Sequence, residues 1–536
     1  MENKNNESIE NTENSTENTE NTENIENIEN IENIESTEST ESVETTESTE
    51  NTENTEPAKG GHDLGTGSIG KLMLKMAIPT IIAQIINMLY NVVDRMYIGH
   101  IPDVGGIALT GVGVTFPIIV IITAFSALVG MGGAPRAAIS MGQGDNKTAE
   151  KIMGNCLTTL VIIAVILTVL TLIFAEPFIL MFGGNRDTTL SYGMSYIRIY
   201  ALGTIFVQCV MGMNVFITTQ GFSTKAMLTI VIGAVINIIL DPIFIFGFNM
   251  GVSGAAIATV ISQAVSAVWV IKFLSGKKSV LKIRKSCLGF DKKIMLPVLA
   301  LGLSPFIMQF TESILTVSFN FSLAQYGGDI AVGAMTILAT AMQFAMMPLQ
   351  GLTQGAQPII SYNYGAGNKK RVEKAFGLLL LFSFIFSLLF WSVCMFAPQF
   401  LVGMFSNDPS LVTFAEWALR IYIASVCIFG IQIACQQTFI ALNQAGVSIF
   451  LALLRKIVLL IPLIFILPNI ITPGFAGIFT PDNIPPLLES GGNIVKVFAV
   501  FLAEPISDFL AVVFTALAFG LKFKKILSGN ERCEKV

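Results

Sequence analysis

Residues 228–247 read LTIVIGAVINIILDPIFIFG. An α-helix rises about 1.5 Å per residue and a bilayer's hydrocarbon core is ~30 Å thick, so a run of this length can cross it. Asn237, Asp241 and Pro242 interrupt the apolar run. A charged residue at the centre of a spanning helix costs at least about 2.5–3.5 kcal/mol. Asn237 and Asp241 are four apart and share one helix face. Pro242 brings no N–H and frees a carbonyl one turn back. The stretch therefore offers a cluster of oxygens suited to a proton or a small cation. The competing reading is a polar face buried against a neighbouring helix.

The rest of the chain fits a membrane setting. It has 536 residues, 52% hydrophobic and 13% charged, with mean hydropathy +0.66. Soluble domains carry roughly 25% charged residues. The formal net charge of −6 comes from residues 1–56, a glutamate-rich repeat of Asn-Thr-Glu, Ile-Glu-Asn and Ser-Thr-Glu. With few apolar residues and no aromatics, that segment reads as a disordered acidic tail. The seven cysteines form no Cys-x-x-Cys. The only histidines are His62 and His100. No metal set and no cofactor is expected.

Beyond the tail, hydropathy places about twelve spans, near 72–98, 107–132, 152–175, 190–219, 225–247, 252–274, 294–324, 329–360, 375–397, 410–442, 446–467 and 493–521. The expected fold is an all-α polytopic membrane protein. Lys and Arg gather in alternate loops: Lys147 and Lys151, then 277–293, then Lys369 to Lys374, then Lys522 to Lys525. The intervening loops at 99–106, 248–251, 325–328, 398–409 and 468–492 have none, Arg186 being the exception. The positive-inside rule then places both termini in the cytoplasm of a cell-membrane protein. The basic loops are topology signals, and no nucleic acid is expected as a partner. The bilayer is the expected surrounding and the chain is read as a monomer.

An internal repeat organises the spans. GGAPRAAISMGQGDNKTAEK at 132–151 matches GAQPIISYNYGAGNKKRVEK at 355–374. Pro135 falls on Pro358, Gly142 on Gly365, Gly144 on Gly367, and Glu150-Lys151 on Glu373-Lys374. Nearly the same shift carries Arg198-Ile199-Tyr200 onto Arg420-Ile421-Tyr422. Parallel repeats of this kind mark transporters whose two lobes surround a central cavity. The expected boundaries are a first lobe at 66–274, a basic connector at 275–293, a second lobe at 294–525 and a tail at 526–536. Six helices per lobe are related by a pseudo-two-fold axis. Nucleotide-binding and hydrolase motifs are missing from the sequence, so no enzyme is expected.

Asp94 and Asp241 fall in the outer halves of two spans of the first lobe, and Thr259 in the next span adds a hydroxyl near that level. Two carboxylates, an amide and a hydroxyl can cage a hard cation, or two close carboxylates can share a proton. Arg95 beside Asp94 offers a plain ion pair instead. The second lobe has Glu312 in its first span and Glu504 and Asp508 in its last. Glu312 suits a cavity wall that attracts cationic substrates, or a buried acid paired with Gln or Ser. Met342, Gln343, Met346, Met347 and Gln350 lie on the eighth span. They read as an adaptable substrate surface or as helix packing.

Together these residues resemble the multidrug and toxic compound extrusion family, in its prokaryotic multidrug-export branch. The resemblance covers about residues 66–525. It rests on Val93-Asp94-Arg95-Met96-Tyr97-Ile98-Gly99, the paired Gly142-Gln143-Gly144 and Gly365-Ala366-Gly367 loops, Asn237-Ile238-Ile239-Leu240-Asp241-Pro242, and Glu504-Pro505-Ile506-Ser507-Asp508. It implies an antiporter that exchanges Na⁺ or H⁺ for drugs and organic cations. It also implies a first-lobe cation site at Asp94, Asn237, Asp241 and Thr259 and a second-lobe acid at Glu312. Some members carry a further acid in the tenth span; here Gly430 to Gln436 has none, which favours the first-lobe site. The alternative is a lipid-linked precursor flippase of the same superfamily, which calls for a more basic cavity.

Overall fold

The computed structural model describes residues 64–405, 408–488 and 492–529. The acidic segment 1–56 lies outside them. In hydrocarbon every backbone N–H and C=O must be paired within the protein, and helices do this segment by segment. The described residues are accordingly helical throughout the apolar runs, with no β-strand among them.

The first six crossings are α1 (Ile69–Gly99), α2 (Gly105–Gly142), α3 (Asn146–Met181), α4 (Leu190–Leu202 with Thr204–Thr219), α5 (Ser223–Gly247) and α6 (Gly251–Ser275). A continuous 74-residue helical stretch, Lys292–Gly365, follows. At about 1.5 Å per residue it far exceeds one bilayer. Gly328 breaks it with φ 67° and ψ −160°, so residues 292–327 form α7 and 329–365 form α8. Then come α9 (Lys369–Phe396), α10 (Pro409–Tyr422 with Val426–Ala441), α11 (Ala445–Ile470) and α12 (Ile494–Ser528). These are the twelve crossings expected from hydropathy, six in each lobe.

Local chemistry fixes several helix starts. Asp145 accepts the Thr148 N–H at 2.9 Å and caps α3. Asp291 caps α7 through the Lys293 N–H at 2.9 Å, and Asn493 caps α12 through the Lys496 N–H at 3.1 Å. Each side chain satisfies a donor that the first helical turn leaves without a partner. Gly144 and Gly367 take φ +82° and +72°, so the same left-handed turn ends α2 and α8.

The repeat is visible in the packing. A Cβ on Gly142 would overlap the Tyr362 carbonyl oxygen, and one on Gly365 would overlap that of Ile139. The repeat relates Gly142 to Gly365 and Ile139 to Tyr362, so one operation exchanges the two contacts. The pseudo-two-fold axis runs between them, at the end of the bundle that carries the basic loops. Gly132 and Gly302 bring α2 and α7 together in the same way, and Gly351 and Gly355 bring α8 onto α1. Between membrane helices the contact is held by close packing and not by water exclusion, so small residues belong at these crossings.

Four features depart from the sequence reading. α4 bends by 58° at Gly203 and α10 by 50° at residues 423–425, where hydropathy gives one span each. The two bends are repeat partners. After Pro242 the helix widens into a π-helical segment, Ile243–Gly247. The second lobe has its own at Leu454–Leu460. Such widened turns rotate the following face and gather at functional sites.

The Pro-rich stretch after α11 has no counterpart in the first lobe. It contains a short helix, Pro473–Phe479, tied back by the Trp417 indole N–H donating to the Phe479 carbonyl at 2.9 Å. Beneath it lies a cavity of about 520 Å³ with Trp417, Phe475 and Phe498 in its wall.

Candidate functional site

Three helices of the first lobe each bring one i,i+4 pair to a common point. α1 contributes Tyr90 and Asp94, α5 contributes Asn237 and Asp241, and α6 contributes Thr259 and Gln263. Asp94, Asn237, Asp241 and Thr259 are all buried, the two on α5 completely. The Asn237 amide donates to Asp241 Oδ1 at 3.2 Å and to Thr259 Oγ1 at 3.3 Å. The carboxyls of Asp94 and Asp241 face each other. Tyr90 faces Gln263, and Tyr196 of α4 reaches Thr259. The four residues expected from sequence are thus brought together.

The hydrogen bonding is incomplete in one chemical sense. Asp94 Oδ1, Asn237 Oδ1, Asp241 Oδ2 and Gln263 Oε1 are buried acceptors that meet no protein donor. Buried polar atoms are nearly always paired, and each exception calls for an explanation. Here the exceptions are all oxygens, and they cluster. That donor set fits a hard cation, which takes oxygen ligands, or a proton held between two carboxyls. The ion pair weighed for Asp94 does not form. Arg95 points away, its guanidinium 5.0 Å from the Phe116 ring centre.

The second lobe treats its acids differently. Arg455 of α11 donates through Nε to Asp508 Oδ1 at 2.7 Å and through an Nη to Glu504 Oε1 at 3.3 Å. It also stacks 4.3 Å from the Phe429 ring centre. Lys456 donates to Glu312 Oε1 and to the Met308 carbonyl at 3.2 Å. The sequence reading assigned these two bases no partner. It missed that they neutralise the acids of α7 and α12, and offered Gln or Ser as the partner of Glu312. The clue was present: two adjacent bases inside an apolar span must meet acids somewhere, and α12 carries two on one face. Tyr90, Gln263 and Tyr196 were missed as well, the first two detectable by i+4 spacing from Asp94 and Thr259.

A second surface lies between the lobes. On α1, Gln84, Asn87 and Asn91 form a polar stripe. On α7, Gln309, Glu312 and Thr316 form another, and on α8 Gln343, Gln350 and Gln354 form a third. Asn91, Glu312, Thr316, Gln343 and Gln350 are exposed. Polar side chains exposed at membrane depth belong to a water-filled space and not to lipid. The Gln84 amide donates to Gln354 Oε1 at 3.1 Å, joining α1 to α8. Of the residues expected to line this surface, Gln343 and Gln350 are exposed, and Glu312 has 63% of its side chain open. Met342 is corrected: it is buried in the apolar core of the second lobe, and Met346 packs against that core. The spacing that suggested a methionine stripe is here the inner face of α8.

Comparison with known proteins agrees with this architecture. The MatE family model matches residues 79–243 and again 305–466, once in each lobe. The multidrug export protein MepA of Staphylococcus haemolyticus is 25% identical over 445 residues, covering 83% of this chain and 93% of its own. That of Staphylococcus saprophyticus is 26% identical over 411 residues, covering 77% and 89%. Among solved structures, the outward-facing conformation of a multidrug resistance MATE family transporter superposes with a TM-score of 0.77 at 21% identity, over 88% of this chain and 99% of that one.

Proposed function

The chain belongs to the MatE family, and from that premise we propose that it is a cation-coupled antiporter exporting drug-like organic cations by alternating access. The family and its curated relatives make it a drug-efflux transporter of the membrane and not an enzyme. The coupling ion, Na⁺ or H⁺, binds between Asp94 and Asp241, with Asn237 and Thr259 completing the site. The substrate meets the polar surface between the lobes, at Glu312, Gln343 and Gln350. Both termini lie in the cytoplasm, and the ion site is in the half of the membrane nearer the outside. Rocking the lobes about the Gly142–Gly365 contact exposes the inter-lobe surface to each side in turn.

One observation carries this reading: the cluster of buried carboxyl and amide oxygens with no protein donor. A flippase for anionic lipid-linked precursors is less well supported. The second-lobe bases are matched by carboxylates, and the relatives are described as drug exporters.

The test is efflux of a lipophilic cationic dye from proteoliposomes under imposed Na⁺ or H⁺ gradients. Wild-type protein should extrude dye under one of them. Asp241→Asn, inserted to the same level, should fall to the rate of empty liposomes. Efflux by Asp241→Asn equal to wild type would refute the proposal.

A further inference from the structure

We propose that Lys456 determines how many positive charges the substrate of this transporter carries, by sharing Glu312 with it. The inference rests on the export reading above and on the geometry of one ion pair.

The pair is asymmetric. Glu312 has 63% of its side chain exposed, whereas Lys456 has 4%. A ligand in the inter-lobe space can reach the carboxylate and cannot reach the ammonium. Lys456 is held from behind, since its Nζ also donates to the Met308 carbonyl at 3.2 Å. It takes Glu312 Oε1 and leaves Oε2 without a hydrogen bond among the described residues. The neighbouring cations are committed elsewhere: Arg455 is closed off by Asp508 and Glu504. The polar neighbours of Glu312 on the open face of α7, Gln309 and Thr316, carry no charge.

Counting charges gives the consequence. The cluster holds three carboxylates, Glu312, Glu504 and Asp508, against two bases, Arg455 and Lys456. It has room for one further positive charge, and Glu312 Oε2 is the edge where that charge can arrive from the open side. A monocation completes the balance. A dication leaves one charge over, and in a low-dielectric site an uncompensated charge is costly. Lys456 is thus a positioning residue. It holds Glu312 toward α11 and takes half of its capacity, which also keeps the grip on substrate weak enough for release. Were the lysine neutral, the same surface would have room for two positive charges.

The experiment measures equilibrium binding by the full chain in lipid nanodiscs. The probes are a mono-quaternary ammonium and a bis-quaternary ammonium of the same alkyl length. Wild-type protein should bind the monocation at least as tightly as the dication. Lys456→Gln should shift the ratio toward the dication by about fivefold, the effect of a modest ion pair. Lys456→Arg, which keeps the charge, should retain the wild-type ratio. Glu312→Gln should weaken both ligands by about fivefold.

An unchanged ratio in Lys456→Gln would overturn the proposal, because a merely structural lysine would lower both affinities together and never raise one. If Lys456→Gln fails to fold, Glu312→Gln decides: unchanged monocation binding there overturns the proposal by itself. Wild-type protein that binds neither probe would overturn the cation-export reading along with it.

Discussion

In the first lobe, Asp94 and Asp241 face each other with no ion pair to either among the described residues, and one oxygen of each, Asp94 Oδ1 and Asp241 Oδ2, lacks a donor. In the second lobe, Glu504, Asp508 and Glu312 are held by Arg455 and Lys456. The backbone plan is the same in both, down to the bend in α4 and α10, and each lobe has a π-helical segment, at Ile243–Gly247 in α5 and nearer the helix start, at Leu454–Leu460, in α11. The difference lies in the side chains that meet the acids. Where the repeat puts Arg455 and Lys456, the first lobe has Gly233 and Ala234. One lobe supplies its own cations. The other leaves its two facing acids without a basic partner among the described residues. A scaffold duplicated in sequence has thus been divided in chemistry, with acids held by basic side chains on one side and acids without them on the other.

That comparison can be broken by removing charge from each side in turn. The largest effect is expected for Arg455→Met, which strands two buried carboxylates. Breaking a buried pair costs about 3–5 kcal/mol, and the melting temperature in detergent should drop sharply. Asp241→Asn removes a buried carboxyl that has no cationic partner, and should change stability by no more than about 1 kcal/mol in either direction while abolishing transport. Equal destabilisation by the two would mean the lobes do not differ as described.

Next in size are Gly142→Ala and Gly365→Ala. Each places a methyl against a carbonyl of the other lobe, and overpacking of this kind costs about 1–3 kcal/mol. Because the two contacts are exchanged by the internal two-fold, the two variants should lose melting temperature equally. A large inequality would place the axis elsewhere. Thr259→Ala removes one neutral oxygen from the proposed ion site and should weaken ion affinity about fivefold, read as a raised ion concentration for half-maximal transport. The smallest effect on transport belongs to Trp417→Phe, which loses the hydrogen bond to Phe479 and part of the indole's packing on Phe414 and Phe501. It should cost about 1–3 kcal/mol of stability and leave ion coupling untouched.

Much of this was legible in the sequence, for physical reasons that also mark its limits. Spans are legible because lipid demands long apolar runs, and the turn at Gly328 because Gly327-Gly328 divides two of them. The repeat is legible because Gly142 and Gly365 sit where backbones touch and no other side chain fits. Asp94, Asn237, Asp241 and Thr259 could be grouped because spans of known direction fix depth. What stayed hidden was set by contacts distant in sequence. Arg455 meets Glu504 and Asp508 49 and 53 residues away, and Lys456 meets Glu312 144 residues away. No periodicity within α11 reports which neighbour its bases will find. The placement of Met342 failed for a related reason. Its spacing is common to a cavity stripe and a packed face, and only the neighbouring helices decide between them. The bends at Gly203 and at 423–425 occur within runs whose hydropathy is unbroken.

The central claim is that the coupling ion belongs to the first lobe. It is tested most directly by measuring ²²Na⁺ and proton fluxes, side by side, in liposomes containing wild type, Asp241→Asn or Glu312→Gln. Whichever ion flux accompanies export in the wild type should vanish in Asp241→Asn and persist in Glu312→Gln. Flux that survives in Asp241→Asn and is lost in Glu312→Gln would contradict the account.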